Sequence, residues 1–310
     1  MVFCIGPPPE WFSLFLATCA SNPTISWQIY GDQLNGFSAA PNVSLRAMTI
    51  HDLVFRLRDR LNINLPDNAS ESLSYKIVDF RPAIGVLFEQ EIADFDFFGY
   101  GDIDVLYGDI RAFYTDAVLK HQVVSNHDRC VSGHLSLLRN EPAIRTAFKR
   151  AHHWRDAFST TRNLRFDEDA FFSVFQYPPK IGPLRRTIMD LFDPVGRKLR
   201  NSNYFVEQYT TPLTPSPWHD GQLSHPQTWY WYKSKIFNDR DMFRHFPYLH
   251  FMNFKYNRYM SQFYGNKAPW AGLQTIMKVH ASDLARGIRL DFEGIHTLSD
   301  EDLLYLESAQ

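Results

Sequence analysis

Cysteine is scarce. Cys4, Cys19 and Cys130 are the only three among 310 residues. The odd count and wide spacing exclude a disulfide framework and a CxxC metal pair, and predict reduced, packed thiols. Charge of one sign is also missing: 32 Lys and Arg stand against 34 Asp and Glu, a net charge of −2. That balance leaves no broad basic face, so nucleic acid is not an expected partner. The opening MVFCIGPPPEWFSLFLATC has no basic stretch and no long apolar run, and three prolines interrupt it. Neither a signal peptide nor a transmembrane segment is expected there. The expectation is a soluble, cytoplasmic protein, with peripheral membrane contact left open. The glycine signatures GxGxxG and GxxxxGK[ST] do not occur, so the loop Gly6-Pro7-Pro8 is no P-loop.

What the chain has in quantity is aromatic residues: 26 Phe, 15 Tyr and 7 Trp. Such a chain can bury a full core, which excludes global disorder. Short apolar runs alternate with helical periods. Val2–Ile5, Ser26–Tyr30 and Val43–Met48 read as strands; Glu10–Ala20, Ile50–Leu61 and Ile77–Ile92 read as helices. Further on, Ile110–Leu119 reads as a helix, Gly133–Leu138, Trp229–Ile236, Tyr248–Asn253, Leu273–Val279 and Ile288–Phe292 as strands, and Ser299–Glu307 as a closing helix capped by Ser299. This is the pattern of an α/β fold with helices on the faces of a mixed sheet. We expect one domain over 1–310. Residues 178–226 hold eight of the 18 prolines and few clear periods, and read as long loops or an insertion on the acceptor side.

Gly101-Asp102-Ile103-Asp104 is the first constellation with chemistry. On an extended or turning backbone, residues i and i+2 face one side. Two carboxylates there can share one hard divalent cation through oxygen ligands. The neighbouring Gly99, Gly101 and Gly108 let a polyphosphate approach the backbone. The apolar strand before the pair sets it at a sheet edge, where α/β folds bind ligands. A second D-x-D, Asp239-x-Asp241, lacks glycine flanks and reads as a solvated turn.

Two blocks carry a resemblance. Lys76-x-x-Asp79-Phe80-Arg81-Pro82-Ala83-x-Gly85 and Phe98-Gly99-Tyr100-Gly101-Asp102-Ile103-Asp104-Val105-x-Tyr107-Gly108-Asp109-Ile110 resemble a family of bacterial-type polysaccharide glycosyltransferases with a GT-A-like, Rossmann-like nucleotide-sugar fold. Shorter matches keep the same order from near residue 10 to near residue 255, among them Gly133-His134-Leu135-Ser136-Leu137-Leu138-Arg139-Asn140, Phe166-Asp167-Glu168 and Tyr248-Leu249-His250-Phe251.

The resemblance implies a metal-dependent transfer of a sugar from a nucleotide-diphosphate donor, UDP-linked by expectation, to a glycan or lipid-linked oligosaccharide. It implies Asp102, Asp104 and a C-terminal His250 as ligands to Mn²⁺ or Mg²⁺; an imidazole ligand favours Mn²⁺. It places Lys76, Asp79 and Arg81 beside the nucleotide, with Gly101 and Asp102 near the diphosphate. It leaves Lys255 as the remnant of a basic cluster after the histidine. Gly6 and Asp32 follow the first two strands, where GT-A folds hold the nucleoside. If the reaction inverts the anomeric centre, a base is required. The acids Asp167, Glu168 and Asp169 open an apolar helix, where the dipole favours them, and resemble the acidic pair of inverting enzymes; Asp169 is preferred, then Glu168. Trp218, Trp229, Trp231 and Trp270 are candidate platforms for sugar faces. Two other classes stay open: a metal-dependent nucleotidyltransferase or hydrolase, and a non-catalytic carbohydrate-binding protein.

Overall fold

A computed structural model describes residues 1–65, 73–242, 244–255 and 281–308. It is an α/β assembly of sheets flanked by helices. The first sheet is parallel, in the order β1 (Val2–Cys4), β2 (Trp27–Gly31), β3 (Val43–Ala47). The second has the order β4 (Phe97–Gly101), β7 (Leu135–Arg139), β6 (Val123–Ser125), β8 (Asn203–Phe205), antiparallel except for the β6–β8 pair. A two-stranded antiparallel ladder joins β5 (Val105–Tyr107) to β11 (Tyr248–His250). A fourth, antiparallel sheet runs β10 (Lys235–Asn238), β9 (Trp229–Tyr232), β12 (Ile288–Asp291), β13 (Gly294–Thr297). Met1 stitches the first two sheets together. Its amino group donates to the Gly99 carbonyl at 2.8 Å, and its carbonyl accepts from the Gly101 N–H at 3.3 Å. That is a parallel bridge, so β1, β2 and β4 end at the same edge.

The helices form where apolar spacing and caps agree. In Ile50–Leu61, Leu53, Leu57 and Leu61 bury one face. Thr49 and Asp52 close a capping box, and Asn62 ends the helix in the left-handed region at φ 53°. Ser299 and Asp302 form the same box before Asp300–Ser308. Helix Phe12–Ala20 buries Phe12, Leu14, Phe15 and Cys19. Among the described residues no helix is long and apolar enough to cross a membrane.

Several elements depart from expectation. Ile77–Ile92 is not one helix: a 3₁₀ stretch covers Ile77–Ala83, followed by a single α-turn at Ile84–Leu87. Pro82 lies inside it, has no N–H to give, and denies the α ladder its continuity. Ile110–Leu119 resolves into two 3₁₀ turns, Ile110–Ala112 and Val118–Lys120. Residues 178–226 are not simply loops. They contain helices Pro183–Phe192 and Pro194–Asn201 and strand β8. Pro183 and Pro194 start those helices, in the first turn where a missing N–H costs nothing. The strand expected at Leu273–Val279 and the platform residue Trp270 lie outside the described residues.

The tryptophans expected as sugar platforms are core. Trp218, Trp229 and Trp231 are buried in one aromatic cluster with Phe246 and Leu249. Trp218 Nε1 donates to Asp241 at 2.7 Å and Trp231 Nε1 to the Tyr107 carbonyl at 2.8 Å. Asp241 is correspondingly not a solvated turn residue. It also accepts from Asn238 and faces His219 at 2.8 Å, tying the loop to the sheet.

Candidate functional site

The turn Asp102-Ile103-Asp104 links β4 to β5 and is pinned on three sides. The Asp102 N–H donates to the His134 carbonyl at 3.4 Å. Trp11 Nε1 donates to the Ile103 carbonyl at 2.9 Å. The Phe251 N–H donates to the Asp104 carbonyl at 3.1 Å. Because β11 pairs with β5 so that His250 lies opposite Val105, His250 arrives beside Asp104, with Nε2 at 3.4 Å from its carboxylate. Lys255 follows and closes on the same carboxylate at 2.7 Å.

His134 completes the cluster. Its ring stacks on His250 with centroids 3.5 Å apart and planes 30° apart. The Thr211 hydroxyl lies 3.1 Å from Nδ1 of His250 and 3.4 Å from Nδ1 of His134. Ligand atoms of Asp102, His134 and His250 fall within 4.8 Å of one another, a set able to hold a metal ion. Its one oxygen and two imidazole nitrogens suit Mn²⁺ better than Mg²⁺. Asp104 is not in that set; it touches the set through His250 and is itself paired with Lys255. His134 was legible only as part of the block 133–140, and Thr211 left no signal in the sequence, since a lone threonine in a proline-rich stretch is unremarkable.

On the other side, Arg81 forms an ion pair with Asp102 and lies 3.5 Å from Asp167. A Cβ on Gly133 would meet Arg81 Nη1 at 2.6 Å, so glycine there leaves room for the guanidinium. Burial pushes Asp167 up to about 7, with Arg81 pulling the other way. Burial also raises Asp102 above the usual carboxylate range, again against Arg81. Asp104 behaves oppposite to Asp102. Burial disfavours its charge, but His250 and Lys255 outweigh that and hold it well below the usual range. Burial, reinforced by His250 and His127, holds His134 well below 6.5, hence neutral at pH 7.

The acids at 167–169 divide differently from expectation. Asp169, the preferred base, is two-thirds exposed, and among the described residues its carboxylate reaches only Arg165, at 3.9 Å. Glu168 pairs with the same arginine at 2.7 Å. Asp167 alone turns inward to Arg81. The helix begins only at Ala170, so the turn before it, and not helical phase, decides which acid faces in.

Lys76 and Asp79 are corrected too. Both are fully buried and pair at 2.6 Å, leaving no surface for a nucleotide. Lys76 also donates to the Ala157 carbonyl at 2.7 Å, and Asp79 accepts from the N–H groups of Leu164 and Phe166, each at 2.8 Å. The pair therefore anchors the loop that presents Asp167. Gly6 and Asp32 bond to each other, N–H to carboxylate, at 2.7 Å. They follow β1 and β2 at the edge where β4 delivers Asp102, which is where parallel strands place ligands.

A second donor set, Asp291, Glu293 and His296, lies on the β12–β13 hairpin, where Arg289 already compensates Asp291 at 3.1 Å. A largely apolar cavity of about 390 Å³, lined by Trp27, Phe97, Tyr100, Tyr114 and Leu137 among others, touches none of Arg81, Asp102, Asp104, His134 or His250.

A family model described as "Family of unknown function (DUF6625)" matches residues 1–271. No curated protein matches the chain. Among solved structures, the galactosyltransferase LgtC, crystallised with donor and acceptor sugar analogues, is similar over 66% of this chain and 87% of that chain, at 12% identity and a TM-score of 0.27.

Proposed function

The chain belongs to the DUF6625 family, and we propose that it is a metal-dependent glycosyltransferase of GT-A type, moving a sugar with inversion from a nucleotide-diphosphate donor to a hydroxyl of a glycan or glycolipid. One observation carries the reading. Asp102, His134 and His250 form a cation-binding set beside Arg81 and Lys255, at the edge where β1, β2 and β4 end.

The set fits the divalent metal that such a reaction uses. The ion would supply neutralisation of the charge growing on the leaving diphosphate. The protein's own groups supply the rest. Arg81 and Lys255 are cations at opposite sides of the 102–104 turn and serve as diphosphate contacts. Gly6 and Asp32 serve the nucleoside at the same edge. The bond from the anomeric carbon to the diphosphate oxygen breaks, its electron pair leaving with the diphosphate. The acceptor oxygen forms the new glycosidic bond, and its proton passes to the Asp167 carboxylate. A carboxyl near 7 is poised for that transfer at neutral pH. A nucleotidyltransferase reading is disfavoured because Gly6-Pro7-Pro8-Pro9 offers no lysine or arginine after β1.

A thermal-shift panel with Mn²⁺ and UDP, GDP, CDP or ADP tests the proposal. Stabilisation by one nucleoside diphosphate, dependent on metal, is expected. The absence of any such stabilisation removes the transferase reading. Asp102→Asn should abolish metal-dependent turnover; retained turnover removes the acid from the metal site.

A further inference from the structure

Helix Pro183–Phe192 buries none of its residues. Leu184 is 74% exposed, Ile188 47%, Leu191 73% and Phe192 82%, and Val195 at the start of the next helix is 45% exposed. Positions 184, 188, 191 and 192 share one helical face, so the exposed apolar side chains form a continuous stripe. A stripe of this kind on an outer helix marks a surface that something covers.

The charge around it says what. Residues 180–200 hold six cations, Lys180, Arg185, Arg186, Arg197, Lys198 and Arg200, against two acids, in a chain whose net charge is −2. Both acids are compensated inward. Asp190 accepts from Arg200 at 2.9 Å and from the Tyr177 hydroxyl at 2.7 Å. Asp193 takes Arg150 at 2.5 Å and Arg200 at 3.3 Å. Lys198 is engaged by Glu141. Lys180, Arg185 and Arg197 are exposed, and Arg185 follows Leu184 at the edge of the stripe; Arg186 points to the opposite side of the helix, over the Tyr177 ring at 4.2 Å. Leucine, isoleucine and phenylalanine flanked by arginine and lysine, on a helix of low overall hydrophobicity, are the requirements for lying in a lipid headgroup layer. A basic rim of this kind complements an anionic surface and repels a second copy of itself.

We propose that the helical hairpin 183–201 docks the protein on an anionic lipid bilayer, with Leu184, Ile188, Leu191 and Phe192 entering the interface and Lys180, Arg185 and Arg197 meeting the headgroups. The hairpin lies in the chain between Asp167 and Thr211, two residues of the candidate site. The docking itself does not depend on the transferase reading.

The test is flotation of the full chain with vesicles of phosphatidylcholine alone and of phosphatidylcholine with phosphatidylglycerol at 3:1. Binding to the anionic vesicles that weakens with salt is expected. The triple variant Leu184→Gln, Leu191→Gln, Phe192→Gln should lower partitioning on the order of tenfold. Lys180→Glu with Arg185→Glu should do the same on anionic vesicles. A separate variant, Phe192→Trp, should show blue-shifted emission and quenching by brominated lipid. No binding to either vesicle, no change at a tryptophan placed at 192, or light scattering that shows a dimer which the triple variant converts to monomer would each overturn the proposal.

Discussion

His134 and His250 stack with ring centroids 3.5 Å apart, and the Thr211 hydroxyl stands within 3.4 Å of both Nδ1 atoms. An oxygen with two lone pairs can accept from both N–H groups. That would hold both rings in one tautomer, with the His134 Nε2 lone pair open to a cation, while His250 Nε2 would have to give up its contact with Asp104 at 3.4 Å to bind one. Ligand histidines generally have their other ring nitrogen fixed in this way, and loss of the partner costs about ten- to a hundredfold in metal affinity. Thr211→Val should therefore weaken Mn²⁺ binding by about that factor with little change in thermal stability. Mn²⁺ paramagnetic resonance in titrations of the apo protein measures it; unchanged affinity would remove Thr211 from the metal's support.

The same stack predicts a ligand count. Electron spin echo spectra of the Mn²⁺ complex should show two coordinated imidazole nitrogens, falling to one in His134→Gln and to one in His250→Gln. A wild-type spectrum with a single nitrogen that persists in His134→Gln would leave Asp102, Asp104 and His250 as the ligand set, and His134 as packing.

Asp167 ties stability to pH. Its carboxyl titrates near 7 in the folded chain and near 3.9 in an unfolded one. The folded state thus keeps a proton that the unfolded state has already lost, so stability is highest below about pH 4 and falls as pH rises to about 7. Three units correspond to on the order of 4 kcal/mol. Urea unfolding of the metal-free protein at pH 5 and pH 8 should show about two-thirds of this loss, and Asp167→Asn should flatten it. An equal slope in the variant would assign the pH dependence to other groups.

The pair Lys76 and Asp79 makes the opposite kind of prediction, one of stability and not of ligand binding. Neither side chain is exposed, and removal of one partner from a buried pair leaves an uncompensated charge, at a cost of about 3–5 kcal/mol. Lys76→Met should show that loss in denaturant titrations. Asp79→Asn keeps the shape but weakens two acceptors of the Leu164 and Phe166 N–H groups, and should also loosen the loop before Asp167, seen as faster amide exchange at 164–166.

What the sequence could disclose follows how local each feature is. The Asp102-x-Asp104 turn is set by adjacent residues and glycines, so its place after a strand was readable. The approach of His250 depends on a β5–β11 pairing across more than 140 residues, and spacing alone cannot give that register. Lys76 and Asp79 were readable as neighbours three apart on the chain, but their burial comes from Ala157, Leu164 and Phe166, which lie far along it. Proline at a helix start and proline in a loop look alike in a sequence, so Pro183 and Pro194 do not by themselves reveal the helices they open within 178–226. The inward turn of Asp167 rests on four residues of turn before Ala170, where helical phase gives no guidance.

Gly133 offers a test that separates site geometry from folding. It lies just before His134, and a Cβ there would stand 2.6 Å from Arg81 Nη1 while remaining 3.5 Å from Asp102 Oδ2 and 3.6 Å from Asp167 Oδ2. The carboxylates are therefore at ordinary contact distance, and only the guanidinium must move. It is the far end of a flexible side chain, so no backbone need move, but Arg81 cannot then bridge Asp102 and Asp167 as it does. Gly133→Ala should cost about 1–3 kcal/mol of stability, because Arg81 is buried and its shift weakens the pairs with Asp102 and Asp167. It should nevertheless weaken metal-dependent binding of a nucleoside diphosphate, because the displaced cation is a proposed diphosphate contact. Calorimetric titration with Mn²⁺ and the stabilising nucleotide measures that loss. Unimpaired binding in Gly133→Ala, with the fold intact, would mean that the position of Arg81 does not matter to the diphosphate.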